Sequence, residues 1–524
     1  MEMVESISEG ARIARGTFWL TMGNLIGTGI SAFATILIAR FLGPSNYGIY
    51  SAALALLAIF AAADLGINRA ATYYISKKRG IGEDYYRYII VSLGGALLSG
   101  IVFLGIISLL APQIAEIIFQ KSYLAPLFYV VAIIVFSTAI TRVAQGILLG
   151  LEKFEFMAMI SIFSSIIRNI FAILFILMGL QAFGAITGQG IGYFSAMILA
   201  VSLVFFSTRR IRRENNELLL SETLRELYSY SLPLAMTIFA TAIFQQFYNI
   251  LAARSLSDFV YGNFSAAWLV FGATLMFPTA LASALFPSLS KLASKDKTVV
   301  SSSFSIATKY ASLILLPIAI VFIGVPDELI MFFYGPEYYM AGYFLRILST
   351  VLLLCVIGFG VINPALLSLQ RTKTIAIISL IAIVVSYAFI TIFIGSISAL
   401  SLIIGIIIMY ALTVILGFII LWHDYGVTIE VSSSVKLLVA AIAGLAVIYF
   451  VKNLFSNILL SMGISAIMGI SIYLALASIL GSLNEKDYGN LRTYSRGIPI
   501  LAPILLLAIN IMEKTYRLIR DQLS

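Results

Sequence analysis

The sequence ILIARFLGPSNYGIYSAAL at residues 36–54 returns in altered form as ILAARSLSDFVYGNFSAAW at residues 250–268. At a constant offset of 214 (250 − 36), the two stretches agree at ten of nineteen positions without a gap. The matches include Arg40 with Arg254 and a Tyr-Gly pair further on, residue types that are not filler in such apolar surroundings. The chain therefore contains an internal repeat, and its two halves are predicted to fold alike.

The repeat lies in a chain that is too apolar to be a soluble protein. Hydrophobic residues make up 61% of the 524 positions and charged residues 11%, whereas soluble domains have about 45–50% and about 25%. A helix of about 20 apolar residues crosses the hydrocarbon core of a bilayer. Counting such intervals predicts about fourteen transmembrane helices, at residues 16–39, 45–75, 89–115, 122–141, two within 156–208, 229–253, 259–290, 310–326, 338–370, two within 374–422, 437–451 and 453–483. Glycine positions predict the turns inside the two long intervals, at 179–184 and near 395–396.

The distribution of lysine and arginine predicts the orientation of these helices. Alternate loops collect most of the basic residues, while the opposite loops keep only Arg40, Lys121, Arg254 and Lys452. The positive-inside rule then places the N-terminus, the C-terminus and the basic loops in the cytoplasm. The net charge of +9 marks helix ends and forms no continuous basic face, so a nucleic-acid partner is not expected.

Each copy of the repeat joins the first and second helix of its half, and six helices lie between the copies. Both copies therefore enter the membrane from the same side, as in parallel repeats whose two lobes rock around a substrate cavity. The predicted fold is an all-α integral membrane protein with two parallel six-helix lobes and two extra C-terminal helices. Its predicted parts are an N-terminal lobe at 16–208, a basic cytoplasmic linker at 209–228, a C-terminal lobe at 229–423, the two additional helices at 434–484, and a cytoplasmic or interfacial tail at 485–524.

Two motifs in the N-terminal lobe resemble a known family. Leu42-Gly43-Pro44 with Tyr47-Gly48 resembles the tight extracellular turn between the first two helices of polysaccharide-export flippases, and Asp64-Leu65-Gly66 resembles a motif in their second helix. These proteins form the Wzx-type branch of the multidrug/oligosaccharidyl-lipid/polysaccharide (MOP) transporter superfamily. The helix number, the two lobes, the basic linker and the extra helices extend the resemblance over nearly the whole chain.

The resemblance implies a flippase of the cell membrane. It would move an undecaprenyl- or dolichyl-linked oligosaccharide from the cytoplasmic to the outer leaflet by alternating access, with the last two helices holding the lipid tail. Residues 16–39 contain neither the extra arginines of the peptidoglycan-precursor branch nor the acid of the drug-exporter branch. A cation-coupled drug or metabolite exporter of the same superfamily remains an alternative.

Charged residues inside the spans are the candidates for substrate contacts, because a charge at membrane depth is costly. Arg168 lies near the middle of the fifth predicted helix and would hydrogen-bond the diphosphate of the substrate, or else form a structural contact within the bundle. Arg346 could be a second phosphate contact or reach the outer interface. Arg69 could attract phosphates at the inner mouth, and Arg40 with Arg254 could form an outer gate or stabilise helix C-termini.

Uncharged and acidic residues complete the candidate site. Asp64 is the only acid well inside a predicted span, and it is the candidate for coupling transport to Na+ or H+. Amide side chains in or near spans could bind sugar hydroxyls or join helices; those assigned to the substrate are Asn24, Gln145, Gln245 and Asn249.

Nothing in the sequence indicates an enzyme. The loops carry no motif for nucleotide binding, metal ligation or nucleophilic catalysis, so a membrane glycosyltransferase or polymerase is the less favoured class. A single cysteine, Cys355, and a single histidine, His423, predict no metal site and no other cofactor. The expected partners are the polyprenyl-linked oligosaccharide and membrane lipids, and the protein is expected to be a monomer.

Overall fold

The computed structural model describes residues 2–209, 220–275 and 297–496, together with 506, 509–514 and 516 in the C-terminal tail. Every regular element in these ranges is a helix, which confirms the predicted all-α class. Eleven helical segments of the described chain are long and apolar enough to cross a membrane. Two of them, Gly16–Ile59 and Phe154–Thr208, are 44 and 55 residues long and each contains two consecutive helices. The prediction of a multi-span membrane protein is confirmed, and the count of about fourteen spans stays a prediction.

The chain divides into two compact units, Met1–Gly262 and Asn263–Ser524. The first unit extends beyond residue 229, where the predicted C-terminal lobe begins, so the division by packing differs from the division by repeat. The predicted lobe boundaries rest on the repeat and stay a prediction. The helices from the N-terminus through α8 are α1 Glu2–Ile59, α2 Ile67–Gly80, α3 Tyr86–Gln113, α4 Ala125–Gly150, α5 Phe154–Phe175, α6 Gln181–Thr208, α7 Leu220–Ser255 and α8 Asp258–Thr274.

The second unit continues with helices of mixed length. They are α9 Lys297–Gly324, α10 Pro326–Tyr334, α11 Tyr339–Leu348, α12 Ile362–Ser368, α13 Thr372–Ile397, α14 Ala399–Tyr425, α15 Val431–Lys452, α16 Ile458–Ile479 and α17 Glu485–Arg496. Parts of three predicted segments lie outside the described residues: 210–219 of the linker, 276–290 of the eighth span, and 497–505 with most later positions of the tail. Helix α7 begins at Leu220, so residues 220–228 of the predicted linker are helical, and the boundary between linker and lobe stays a prediction.

The first two predicted spans are joined by a sharp bend inside α1. Gly43 has φ 68° and ψ 168°, a backbone conformation that side chains rarely allow, and Pro44 follows it. The proline can start a new helix because its missing N–H needs no partner in the first turn. The Leu-Gly-Pro motif is therefore the corner between two helices.

The second predicted span, 45–75, is not one continuous helix. A short 3₁₀ turn, Phe60–Ala62, is followed by Leu65 and Gly66 with φ of 50° and 72°, and α2 begins only at Ile67. A Cβ at Gly66 would lie 2.8 Å from the Ser231 carbonyl oxygen of α7, so the break also allows α7 to approach closely. Asp64-Leu65-Gly66 thus interrupts the helix in which it was predicted to lie.

The tenth predicted span, 338–370, is also broken. It consists of α11, a 3₁₀ helix Ser349–Ile357 and α12, and the chain changes direction at Gly358 and Gly360, whose φ values are 106° and 81°.

Of the two turns predicted from glycine positions, one lies where it was expected and the other does not. The turn after the fifth helix falls at Gly179 as predicted, whereas the turn after the eleventh falls at Ser398 and not at 395–396.

The two repeat glycines, Gly48 and Gly262, lie against each other where α1 meets the first turn of α8. A Cβ at Gly48 would lie 2.1 Å from the carbonyl oxygen of Asp258, and a Cβ at Gly262 would lie 1.8 Å from that of Pro44. Only glycine allows two backbones to come this close. Both copies of the repeat therefore keep a glycine at the position where this close backbone packing requires one.

An ion pair fastens this same corner. Lys121 Nζ donates to Asp258 Oδ1 at 2.7 Å and to the carbonyl oxygen of Leu256 at 2.9 Å. Tyr123 Oη donates to Asp258 Oδ2 at 2.5 Å. The Lys121 side chain is 11% exposed and that of Asp258 21%, so the pair is largely withdrawn from solvent. Under the predicted topology this contact lies on the outer side.

In the second unit, α17 is held on α9 by a buried ion pair. Lys309 Nζ lies 2.8 Å from Asp487 Oδ2 and 3.1 Å from Glu430 Oε2, and the side chains of Lys309 and Asp487 are 6% and 7% exposed. Tyr310 Oη donates a further hydrogen bond to Asp487 Oδ1 at 3.1 Å. The start of the predicted tail therefore packs firmly on the helical bundle.

Candidate functional site

A polar cavity of about 430 Å³ lies among α1, α4, α5 and α6 of the first unit. Its polar residues recur every three or four positions, so each helix presents them on one face. Aliphatic side chains of α1 close one wall. The polar and charged lining residues are Thr138, Thr141, Arg142 and Gln145 on α4, Ser161, Ser164, Ser165 and Arg168 on α5, and Tyr193 on α6.

Arg168 is held in this cavity by neutral partners. Its Nη2 donates to Ser31 Oγ at 2.8 Å, and its Nη1 donates to Tyr193 Oη. The guanidinium carbon also lies 4.9 Å from the centroid of the Tyr193 ring, a cation–π distance. The side chain is half-buried, and its Nε is buried without a partner. Among the described residues no carboxylate forms an ion pair with Arg168, so its charge is available to an anion.

Close packing of α5 on α6 fixes the position of Arg168. A Cβ at Gly192 would lie 2.3 Å from the Arg168 Cα, so only glycine lets α6 come this near. The neighbouring hydroxyls are linked, because Ser31 Oγ donates to Ser165 Oγ at 3.2 Å. The guanidinium group therefore projects from a rigid helix pair and not from a loop.

Arg142 is a second cation of the cavity that the sequence did not identify as part of the site. In the sequence, Arg142 counts only among the basic residues that predict the orientation of the helices, because it lies near the cytoplasmic end of its span. Its place in the cavity follows from its spacing with Thr138, Thr141 and Gln145, which share one face of α4. That face of polar residues within an apolar helix was the available signal. Ser31 and Tyr193 gave no such signal, because their role depends on where Arg168 points.

Asp64 lies at the break in helix two and is 2% exposed. Its Oδ2 accepts a hydrogen bond from the backbone N–H of Asn68 at 3.3 Å, which caps the first turn of α2. Arg142 and Arg69 are its basic neighbours at electrostatic range, with Arg142 the stronger influence. The acid therefore has a structural task and lies within electrostatic range of Arg142, one of the two cavity arginines.

The remaining predicted site residues lie outside this cavity. In the second unit, Arg346 Nη2 is 2.8 Å from Asp327 Oδ2, and both side chains are partly exposed. Asn249, on α7, donates to Gln246 Oε1 at 2.9 Å. The other residues share an exposed position on their helices; they are Asn24, Arg40, Arg69, Gln245 and Arg254. Of the predicted amides, only Gln145 lines the cavity with Arg168.

Within the described ranges, no group of three or more His, Cys, Asp and Glu side chains could hold a metal ion. The lone cysteine, Cys355, is buried. The chemistry of the cavity is therefore that of hydrogen-bond donors and fixed positive charge, a combination suited to binding an anionic, hydroxylated group.

Comparison with known proteins agrees with this picture. The chain is 24% identical over 492 residues to a protein of Haloferax volcanii named "Probable low-salt glycan biosynthesis flippase Agl15", which covers 91% of this chain and 98% of that protein. Among solved structures it resembles the lipid II flippase MurJ in an inward closed conformation, with a TM-score of 0.65, 16% identity, and coverage of 88% of this chain and 98% of that one.

It also resembles a multidrug resistance MATE family transporter of the MOP superfamily, with a TM-score of 0.62, 15% identity, and coverage of 78% of this chain and 98% of that one. These two structural likenesses bear on the fold. They confirm the MOP-type fold that the motifs predicted, and all three of these proteins are named as flippases or transporters and not as enzymes.

The family model described as "Polysaccharide biosynthesis protein" matches residues 13–293, which contain the bend at Gly43, the Asp64 break, the whole polar cavity and the second copy of the repeat motif. That match extends over more than half of the chain, and the protein therefore belongs to the polysaccharide biosynthesis protein family.

Proposed function

We propose that the protein is a flippase that moves a polyprenyl-(di)phosphate-linked oligosaccharide from the cytoplasmic to the outer leaflet. The observation that carries this proposal is the Arg168 guanidinium, held by Ser31 and Tyr193 in a polar cavity without a carboxylate partner among the described residues. The glycan would serve the assembly of cell-surface polysaccharide or glycoconjugate.

A phosphate group suits this cavity for electrostatic reasons. The planar guanidinium donates two parallel hydrogen bonds to phosphate oxygens, and the attraction is stronger inside a protein cavity than in bulk solvent. Arg142 adds a second positive charge to the lining, which fits the charge of a diphosphate better than that of a single phosphate. Ser161, Ser164 and Gln145 can then hydrogen-bond the hydroxyls of the attached sugar.

The sequence relative supports the same substrate class, because the Haloferax volcanii protein is named as a glycan biosynthesis flippase and is matched along nearly its whole length. Transport would proceed by alternating access, with the cavity opening to one side at a time. We further propose that Asp64 couples transport to Na+ or H+, that both termini are cytoplasmic, and that the protein acts as a monomer in the cell membrane.

The test uses purified protein in proteoliposomes with a fluorescent polyprenyl-diphosphate oligosaccharide and a membrane-impermeant quencher. We expect Arg168→Ala to slow flipping about 10- to 150-fold, because hydrogen bonds to a charged group contribute about 1.5–3 kcal/mol. The flipping rate of Arg168→Lys should lie between those of the wild type and Arg168→Ala, because lysine keeps the positive charge but cannot donate two parallel hydrogen bonds. Arg371→Ala is the matched control, as it removes an arginine from an exposed ion pair with Asp424.

Unchanged flipping by Arg168→Ala would remove the cavity from the mechanism. Wild-type protein that transports drugs in these vesicles but leaves the lipid-linked glycan in place would identify an exporter. The same vesicles with and without a sodium or proton gradient test the coupling proposed for Asp64.

A further inference from the structure

Four tyrosine rings form one cluster at one end of α2, α3 and α7 in the first unit. Tyr73 and Tyr230 are stacked with their centroids 5.2 Å apart and their planes 4° from parallel. Tyr74 and Tyr88 are stacked in the same way at 5.2 Å and 10°. Tyr74 also presents its ring at 79° to Tyr73 and at 75° to Tyr230. The four rings are thus in continuous contact across three helices.

The inner pair of the cluster is fixed in place by Glu226. Tyr88 Oη donates to the Glu226 carboxylate, and Tyr74 Oη donates to the Glu226 backbone oxygen at 3.3 Å. Tyr88 is only 1% exposed. By contrast Tyr73 is 45% exposed and Tyr230 39% exposed. The inner pair therefore supports an outer pair that remains open.

The cluster lies at the predicted cytoplasmic mouth. The last turn of α2 carries Lys77, Lys78 and Arg79, the basic residues that mark a cytoplasmic helix end. Tyrosines at a membrane interface are often anchors in the headgroup layer. These rings, in addition, stack on one another, and the inner pair is hydrogen-bonded to Glu226.

We infer that the stacked pair Tyr73–Tyr230 is a docking platform for the sugar rings of the glycan, which would engage it before the diphosphate reaches Arg168. This inference rests on the proposed function. It adds to the arginine cavity a separate site of different chemistry, one that takes pyranose rings and not phosphate.

The chemistry of a pyranose ring matches this surface. One face of the ring presents C–H groups, whose positive edges are attracted to the negative face of an aromatic ring. Its equatorial hydroxyls need acceptors and donors nearby, and the exposed Glu226 carboxylate and the tyrosine hydroxyls provide them. Lys77 Nζ lies 5.8 Å from the Tyr73 centroid, near the limit of about 6 Å for cation–π contacts, so its flexible stem can move aside at little cost.

The test measures binding to nanodisc-embedded full-length protein with two probes, polyprenyl diphosphate carrying an oligosaccharide and the same lipid without sugar. We expect the double variant Tyr73→Ala/Tyr230→Ala to weaken binding of the glycosylated lipid about 5- to 150-fold, on the scale of two aromatic contacts at about 0.5–1.5 kcal/mol each. Binding of the sugar-free lipid should stay within twofold. Tyr73→Phe/Tyr230→Phe keeps both ring faces and should retain most of the affinity for the glycosylated lipid.

Two controls separate this inference from its rivals. Tyr129→Ala removes a tyrosine that is similarly exposed, at 44%, outside the cluster, and should change neither affinity. Arg168→Ala should weaken both probes, because both carry the diphosphate. Equal losses for the two probes in the Tyr73→Ala/Tyr230→Ala variant, or no loss for either, would overturn the platform while leaving the flippase proposal intact. Failure of wild-type protein to bind or flip either lipid would instead overturn the proposed function itself.

Discussion

Replacing Gly262 by alanine should destabilise the protein, although alanine is the better helix former. The added Cβ would lie 1.8 Å from the Pro44 carbonyl oxygen, and Cβ contacts below 3.0 Å essentially never occur, so the backbones must separate by at least 1.2 Å (3.0 − 1.8). Overpacking of this kind costs about 1–3 kcal/mol. The obstacle is a backbone atom, which cannot swing away as the end of a side chain can.

The matched control is Gly272→Ala on the same helix, where a Cβ would have nothing within 4 Å. Both variants gain the helix propensity of alanine over glycine, about 1 kcal/mol. The difference between them therefore isolates the steric term. We expect the free energy of unfolding of Gly262→Ala to fall about 1–3 kcal/mol below that of Gly272→Ala, as measured by denaturant titration in detergent micelles.

The same displacement should reach the neighbouring ion pair. Asp258 is one helical turn before Gly262, and its 2.7 Å contact with Lys121 has little room to lengthen before it ceases to be a hydrogen bond. Asp258→Asn should therefore cost less stability in the Gly262→Ala background than in the wild type. If Gly262→Ala and Gly272→Ala unfold alike, the close approach of α1 and α8 does not exist in the protein.

Three further predictions concern the charged groups. Lys121→Met should lower the free energy of unfolding by about 1–3 kcal/mol, and the exchange Lys121→Asp/Asp258→Lys should recover part of it in the same titration. Asp64→Asn should keep the helix cap and the melting temperature but abolish any dependence of flipping on a cation gradient. Asp64→Ala should lose the gradient dependence and also the cap, so its melting temperature should fall. A gradient response that persists in Asp64→Asn would contradict the coupling role. Lys309→Met should destabilise by about 3–5 kcal/mol because Asp487 is left charged and buried, and the double variant Lys309→Met/Asp487→Leu should be more stable than this single variant; a double variant as unstable as the sum of both singles would show that the pair is not coupled.

Much of the fold could be predicted because the bilayer imposes simple rules. Apolar length gave the membrane class, and the glycine at 179 gave the turn between the fifth and sixth helices. The repeat and the Leu-Gly-Pro and Asp-Leu-Gly motifs gave the family. Each of these signals can be found in the linear sequence, so no knowledge of tertiary packing was needed.

The breaks inside spans could not be predicted in the same way. The second span contains Leu65 at φ 50° and the tenth contains a long 3₁₀ stretch, and an apolar sequence looks the same whether it is α-helical or not. Such conformations persist because neighbouring helices fix them, as α7 does at Gly66. Hydrophobicity reports burial in lipid and carries little information about backbone dihedral angles.

The candidate site was predicted in part. Arg168 was identified from the cost of a charge at membrane depth, and it does lie in a polar cavity. Arg142 was missed because a basic residue near a cytoplasmic end also satisfies the topology rule, and charge alone does not distinguish the two roles. Arg346 was predicted either to contact phosphate or to reach the outer interface, and the structure adds an ion pair with Asp327, a partner that only the folding of α10 onto α11 brings near.

Rewinding the 3₁₀ helix Ser349–Ile357 as an α-helix would change the length of the tenth span. It holds nine residues, more than the usual three or four of such a helix. Rewinding nine residues from a rise of about 2.0 Å to about 1.5 Å each would shorten the span by about 4.5 Å. The change from about 120° to about 100° per residue would also turn whatever follows by about half a revolution. A segment of this kind converts a local change of winding into a screw motion, so that α12 would advance and rotate while α11 keeps its place.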